Sequence, residues 1–141
     1  MPHNMPTEFL TKRKIEFSDT DMAGIVHFSR FFIFMETAEH EFLRSLGTSV
    51  ATEWNGDKIG WPRLTASCEY LSPLRYEDEV DIRLCVTNIS TKSLTYQFHF
   101  TLEGTDIARG QLITVCCKTN PGEKIQAIPI PEFISSQIST T

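Results

Sequence analysis

With 141 residues and a mass of 16.1 kDa, the chain suits one domain, spanning residues 1–141, built around one core. An apolar share of 40% against 22% charged residues excludes wholesale disorder, and no run approaches the ~18 apolar residues of a membrane span. Thirteen Lys and Arg against eighteen Asp and Glu give a net charge of −5, which excludes nucleic acid as an expected partner, since phosphate contacts dominate such affinity.

The first residues, MPHNMPTEFL, lack the basic stretch and apolar run of a secretory leader, so a cytoplasmic location is expected, with residues 1–7 frayed. Residues 9–17 alternate weakly between apolar and polar, as a first strand. A long helical pattern begins near Ser29 and ends before Gly47, a glycine placed to cap its C-terminus. Phe28, Phe31, Phe32, Phe34 and Phe42, half of the ten phenylalanines, fall in or beside it. At ~100° per residue, Phe31, Phe34, Met35, Ala38, Phe42 and Leu46 share one side, and Phe32 and Leu43 widen the apolar arc to about half the circumference. A surface helix needs a stripe of only ~100°, so this one is enclosed. Glu39 falls inside the arc and Glu36 at its edge. Glu39 either reaches a partner, across a subunit interface for example, or faces a polar cavity, or bends with Glu36 out to solvent.

Four strands follow. Residues 63–71 turn Leu64, Ala66, Cys68 and Tyr70 inward; residues 79–89 do so with Val80, Ile82, Leu84 and Val86; residues 93–102 with Leu94, Tyr96, Phe98, Phe100 and Leu102. Residues 107–118 are apolar on both faces in places, which suits a more central strand. After Pro131 the chain turns polar, so residues 132–141 are expected to fray. The order predicts an α+β domain, one helix enclosed by a curved antiparallel sheet. Cys68, Cys85, Cys116 and Cys117 show no CxxC spacing and read as reduced core thiols.

The segment Phe17 to Ser29, FSDTDMAGIVHFS, is the densest candidate for chemistry. As a calcium loop it would place Asp19, Asp21 and Gly24 at positions 1, 3 and 6, but Ala23 and Arg30 stand where two further ligands are needed. No metal site is expected. Without a ligand, Asp19 or Asp21 would hydrogen-bond its own backbone in an Asx turn.

The run FSDTDMAGIVHFSRFFIFMETAEHEFL resembles the signature of the 4-hydroxybenzoyl-CoA thioesterase-like branch of the acyl-CoA thioesterase hotdog-fold family, D-x-D-x-x-G-x-V followed by an aromatic and the long helix. GWPRLTASCEYLSPLRYED, residues 60–78, is similar to the family's second strand and the turn after it, and the resemblance extends over about residues 8–130. It implies a hotdog fold with a five- or six-stranded sheet, and hydrolysis of a thioester of coenzyme A, or sometimes of acyl carrier protein. It implies Asp21 as the catalytic carboxylate, nucleophile or general base, with the Phe28 backbone N–H polarising the carbonyl. Gly24 would allow the tight turn before the helix. No cofactor is implied, coenzyme A being part of the substrate.

Relatives carry Tyr and then His or another aromatic after the motif Val, where this chain has His27 and Phe28. His27 is thus a candidate polar group of the site. Thr65 and Ser67 are candidates for positioning water or the acyl group, and Arg75, Lys92 and Ser93 for the coenzyme A phosphates, each against a solvated surface role. The resemblance further implies a homodimer or homotetramer with sites at the subunit interface. Two rival functions stay open: an acyl-CoA binding or sensing module, which would bind without releasing thiol, and an enoyl-thioester hydratase, whose carbon base would be His27 or His40.

Overall fold

The computed structural model describes residues 7–140. β1 (Glu8–Lys14) leads through one 3-10 turn (Phe17–Asp19) to α1 (Arg30–Ser45), the central helix. β2 (Thr52–Trp54) and β3 (Asp57–Gly60) follow, then β4 (Arg63–Tyr70), β5 (Glu79–Ile89), β6 (Ser93–Leu102) and β7 (Thr105–Val115). β8 (Cys117–Lys118), β9 (Gln126–Ala127) and α2 (Glu132–Ser135) complete the chain.

α1 ends where the pattern predicts. Gly47 takes φ +87°, and the Thr48 N–H donates to the Leu43 carbonyl at 3.2 Å, closing the last turn. Phe31, Phe34, Met35, Ala38, Phe42 and Leu43 are buried on one side, each large side chain contributing about 1.5–3 kcal/mol through removal from water. Helix and sheet approach so closely at Gly110 that a Cβ there would overlap the Met35 thioether. Glycine on β7 is therefore a packing requirement.

The main sheet is antiparallel with the order β1-β5-β6-β7-β4. Its register places Ile82, Leu84 and Val86 of β5 beside Phe100, Phe98 and Tyr96 of β6, all turned towards α1 and buried. The alternating polar set faces outwards.

Two expectations need correction. Leu64 does not point inward; it is 65% exposed. A register shift between Arg63 and Thr65 brings Arg63 opposite Thr114, on the helix face, and turns Leu64 out of it. The residues after Pro131 are not frayed. They form α2 with Ile134 buried, and the Thr7 N–H donates to the Ser139 carbonyl while the Ser139 N–H donates to Thr7 Oγ1 at 2.8 Å. Residues 1–6, also expected to fray, lie outside the described region.

Sequence alternation overlooked a second sheet, β2-β3-β8-β9, because its strands have only two to four residues each. It continues beyond the end of β7 and carries α2 through the Trp54–Phe133 ring pair, 5.0 Å between centroids. All four cysteines are unpaired thiols.

Glu39 is fully buried, and its partner lies within the chain. The Arg63 guanidinium spans its carboxylate with donors at 2.6 and 2.8 Å and reaches Glu36 at 3.2 Å. The sequence position that broke the apolar arc is thus one half of a clamp between α1 and β4. Burial raises the Glu39 carboxyl above its ordinary range, with the Arg63 charge working against that shift.

Candidate active site

The two acids of the D-x-D motif separate completely in their surroundings. Asp19 is 3% exposed, accepts the Glu16 N–H at 2.9 Å, and lies 3.8 Å from the Arg13 and 3.7 Å from the Arg30 guanidinium nitrogens. It anchors the loop. Asp21 is exposed, and its Oδ1 accepts the Ala23 N–H at 2.9 Å, an Asx turn that leaves Oδ2 without a partner among the described residues. Gly24 at φ +77° closes the turn, its N–H donating to the Asp21 carbonyl at 2.9 Å. The Asp21 N–H bonds the Ile25 carbonyl, and a bridge between Thr20 and Val26 brings the chain back to the head of α1.

There the backbone is almost fully engaged. The Val26 N–H donates to the Leu74 carbonyl at 2.8 Å, His27 to Asp19 at 2.9 Å, and Arg30 to His27 at 2.9 Å. The Ser29 N–H reaches His27 Nδ1 at 3.3 Å, and the Ser29 hydroxyl lies 2.8 Å from the same nitrogen, which leaves Nε2 as the ring nitrogen not engaged by Ser29. From Val26 to Arg30, Phe28 alone has an N–H with no acceptor among the described residues. The Ser29 side chain does not cap the helix, and no acid stands in its first turn. The positive end of α1 is left open. The Phe28 ring is 63% exposed and stacks on His27, 4.6 Å between centroids, while its carbonyl accepts the Tyr70 hydroxyl at 2.9 Å.

An exposed, half-anchored carboxylate and a free backbone donor on one loop are groups of the chemical types that acyl transfer uses, a nucleophile or base and an oxyanion donor. Residues 15–138 match the sequence profile of the Thioesterase-like superfamily. The chain belongs to this superfamily. A protein of Aquifex aeolicus (strain VF5) that carries an esterase name is 35% identical to this thioesterase over 121 residues, covering 86% of this chain and 91% of its own. A 1,4-dihydroxy-2-naphthoyl-CoA hydrolase of Synechococcus sp. (strain CC9311) is 24% identical over 136 residues, 92% of this chain and 89% of its own. Among solved structures, a gentisyl-coenzyme A thioesterase superposes with a TM-score of 0.79 at 31% identity, covering 91% of this chain and 98% of that one. The fold is the hotdog fold and the protein is a thioester hydrolase.

The thioesterase gathers Asp21, Gly24, His27 and Phe28 into one loop, and adds Arg75, whose guanidinium lies 4.0 Å from where a Gly24 side chain would begin. Arg75 makes no ion pair among the described residues; its N–H donates to the Asp78 carboxylate at 2.8 Å. Lys92 and Ser93 are not brought there. Lys92 lies in the β5–β6 turn and Ser93 opens β6, beside the row Arg63, Thr114 and Leu94, whereas the Asp21 loop adjoins the row Tyr70, Ala108 and Phe100 at the opposite end of the sheet. Thr65 and Ser67 face away from α1, opposite Ile113 and Gln111. Ser67 lines an outer-face cavity of ≈ 580 Å³ with Arg83, Gln97, His99, Arg109 and Gln111, to which no residue of the Asp21 loop contributes. His40 lies 3.9 Å from Glu39 in mid-helix, away from the loop. Tyr70, read from alternation as a core residue, touches the site instead; its position at the end of a strand was the available signal.

Proposed function

We propose that the protein hydrolyses acyl-coenzyme A thioesters with Asp21 as the catalytic carboxylate and the Phe28 N–H, at the open positive end of α1, as the oxyanion donor. The observation that carries this reading is the pairing, on one loop, of an exposed carboxylate with the Phe28 N–H, which alone from Val26 to Arg30 has no acceptor among the described residues. A carboxylate oxygen attacks the thioester carbon, and the carbonyl π electrons move onto oxygen to form an oxyanion, to which the Phe28 N–H donates a hydrogen bond. Collapse expels the thiolate and leaves a mixed anhydride that water cleaves to the free acid, regenerating Asp21. In the general-base form Asp21 takes a proton from water, and that water attacks the same carbon. One backbone donor of this kind contributes about 3 kcal/mol of barrier lowering. No cofactor is required, coenzyme A arriving with the substrate. The four unpaired cysteines suit a cytoplasmic, thiol-reducing compartment.

The substrate class follows the relatives, whose names specify 1,4-dihydroxy-2-naphthoyl-CoA and gentisyl-CoA, and the exposed Phe28 ring suits an aryl acyl group. His27 Nε2 offers a further polar contact beside it. Arg75 is the local cation for a coenzyme A phosphate, Gly24 giving it room.

The working unit in this reading is a homodimer, or a homotetramer built from it. β1, one edge of the sheet, carries Lys12, Arg13 and Lys14, whereas β4, the other, exposes Leu64, Thr65, Ala66 and Ser67 with no lysine or proline to guard it. A two-fold axis through the middle of β4 sets the Arg63 end of one copy against the Tyr70 end of the other. That carries Lys92 and Ser93 of one copy towards the Asp21 loop of the other, and Thr65 and Ser67 to the seam.

The test is thiol release from a panel of aromatic and aliphatic acyl-CoA substrates. Aromatic members should turn over fastest, and Asp21→Asn should reduce release to background with an unchanged melting temperature. Near-normal turnover by that variant would refute the assignment.

A further inference from the structure

We infer that Tyr70 is a positioning residue for thioester hydrolysis: its hydroxyl holds the Phe28 carbonyl outside the helical ladder and so fixes the backbone that aims the Phe28 N–H at the substrate. The inference rests on the reading of Phe28 as oxyanion donor.

Phe28 stands one residue before the N-cap of α1. Its carbonyl is the natural acceptor for the Phe32 N–H, four residues on. That bond is not made. The Phe32 N–H turns to the Ser29 carbonyl at 3.3 Å, three residues back, while the Phe28 carbonyl accepts the Tyr70 hydroxyl at 2.9 Å. If the helix reclaimed this carbonyl it would begin one residue earlier with Phe28 as its N-cap, and the peptide after the Phe28 Cα would swing from β4 towards the helix axis, releasing the Phe28 backbone from its present orientation. Tyr70 thus competes with the helix and sets where α1 begins.

The competitor is rigidly held. The Tyr70 ring meets Phe31 edge-on at 5.3 Å, and Phe31 in turn meets Phe34 at 5.7 Å and Phe100 at 5.4 Å, all within the core. Its backbone ends β4 opposite Ala108, and the next N–H, of Leu71, donates to the Ile107 carbonyl at 2.9 Å. Burial and the neighbouring Cys68 raise the phenol above its ordinary value, so it stays protonated and a donor through neutral pH. On the other side of Phe28, the Arg30 N–H fixes the His27 carbonyl, which belongs to the same peptide plane as the Phe28 N–H. Both peptides flanking the Phe28 Cα are therefore pinned, one by α1 and one by β4.

The test uses the full chain, with 4-hydroxybenzoyl-CoA as probe. Tyr70→Phe keeps the ring and its contacts and should lower kcat about fivefold to tenfold, as expected for losing one hydrogen bond that acts on the barrier, with KM within about twofold. In the hydrolysis-dead Asp21→Asn background, the carbonyl stretch of the bound thioester should lie below that of the free compound, and adding Tyr70→Phe should return most of that shift. 3-Fluorotyrosine at position 70 retains the donor and should restore kcat to within about twofold of the parent; this readout also serves should Tyr70→Phe melt early. Unchanged kcat and an unchanged carbonyl shift in Tyr70→Phe, or a fluorotyrosine variant as slow as Tyr70→Phe, would overturn the role of Tyr70 and leave Phe28 as donor. Absence of any carbonyl shift with Tyr70 intact would remove the Phe28 reading, and this inference with it.

Discussion

Asp19 and Asp21 are the same residue type two positions apart, yet burial gives them opposite work. Asp19, enclosed and facing Arg13 and Arg30, holds the 3-10 turn in place; Asp21, exposed, has one carboxylate oxygen without a partner among the described residues. Their asparagine variants should therefore part company in a thermal melt. Asp19→Asn gives up a charge-assisted bond and leaves two guanidiniums without their anion, a loss of about 2 kcal/mol. Asp21→Asn, whose amide oxygen can still accept the Ala23 N–H, should melt with the parent while losing thiol release. Equal melting temperatures for both variants would show that Asp19 is no anchor.

At the scale of elements, the contact between α1 and β4 depends on an ion pair where apolar packing runs out. β4 lies at the edge of the sheet, and its helix-facing residues Ala66, Cys68 and Tyr70 remain at least partly exposed, so Arg63 reaches across to the buried Glu39. Arg63→Met strands that carboxylate, at a cost of about 3 kcal/mol, the low end for a broken buried pair because the arginine side chain is itself 26% exposed. The pH dependence has a definite sign. Burial already raises the Glu39 carboxyl above its unfolded value, so the folded state holds that proton more tightly, and losing Arg63 raises it further. The destabilisation should be smallest in mild acid and grow as pH rises through the folded value. Chemical denaturation of variant and parent at several pH values measures it, and a constant difference would mean that Glu39 finds another partner.

For the whole molecule, the question is what covers the unguarded edge. β1 protects itself with Lys12, Arg13 and Lys14, and Thr7 and Ser139 tie its start to the tail. β4 carries no lysine or proline, its outward charge being Glu69 alone, and the candidate loop lies at the end of the sheet opposite Lys92 and Ser93. Ser67→Lys places a cation near the proposed two-fold axis, where two copies would repel. It should give a monomer in analytical ultracentrifugation at micromolar concentration and lose most acyl-CoA hydrolysis while remaining folded. A fully active monomer would show that one chain completes the site.

Much of this was legible in the order of residues. Alternation in β5 and β6 and the half-circumference apolar arc of α1 suffice for one helix in an antiparallel sheet, because a period of two or 3.6 forces each apolar face to find cover. The spacing of Asp19, Asp21 and Gly24 suffices to locate the loop, since a turn needs its acid and its glycine at fixed places. The rest belongs to tertiary structure. Which acid is buried depends on Arg13 and Arg30 arriving from two elements; Arg63 faces inward only through a register shift that turns Leu64 out; and Tyr70 meets Phe28 across forty-two positions of chain. Local periodicity reports a residue's own face, whereas a hydrogen bond or ion pair between distant residues exists only once packing has brought two elements together.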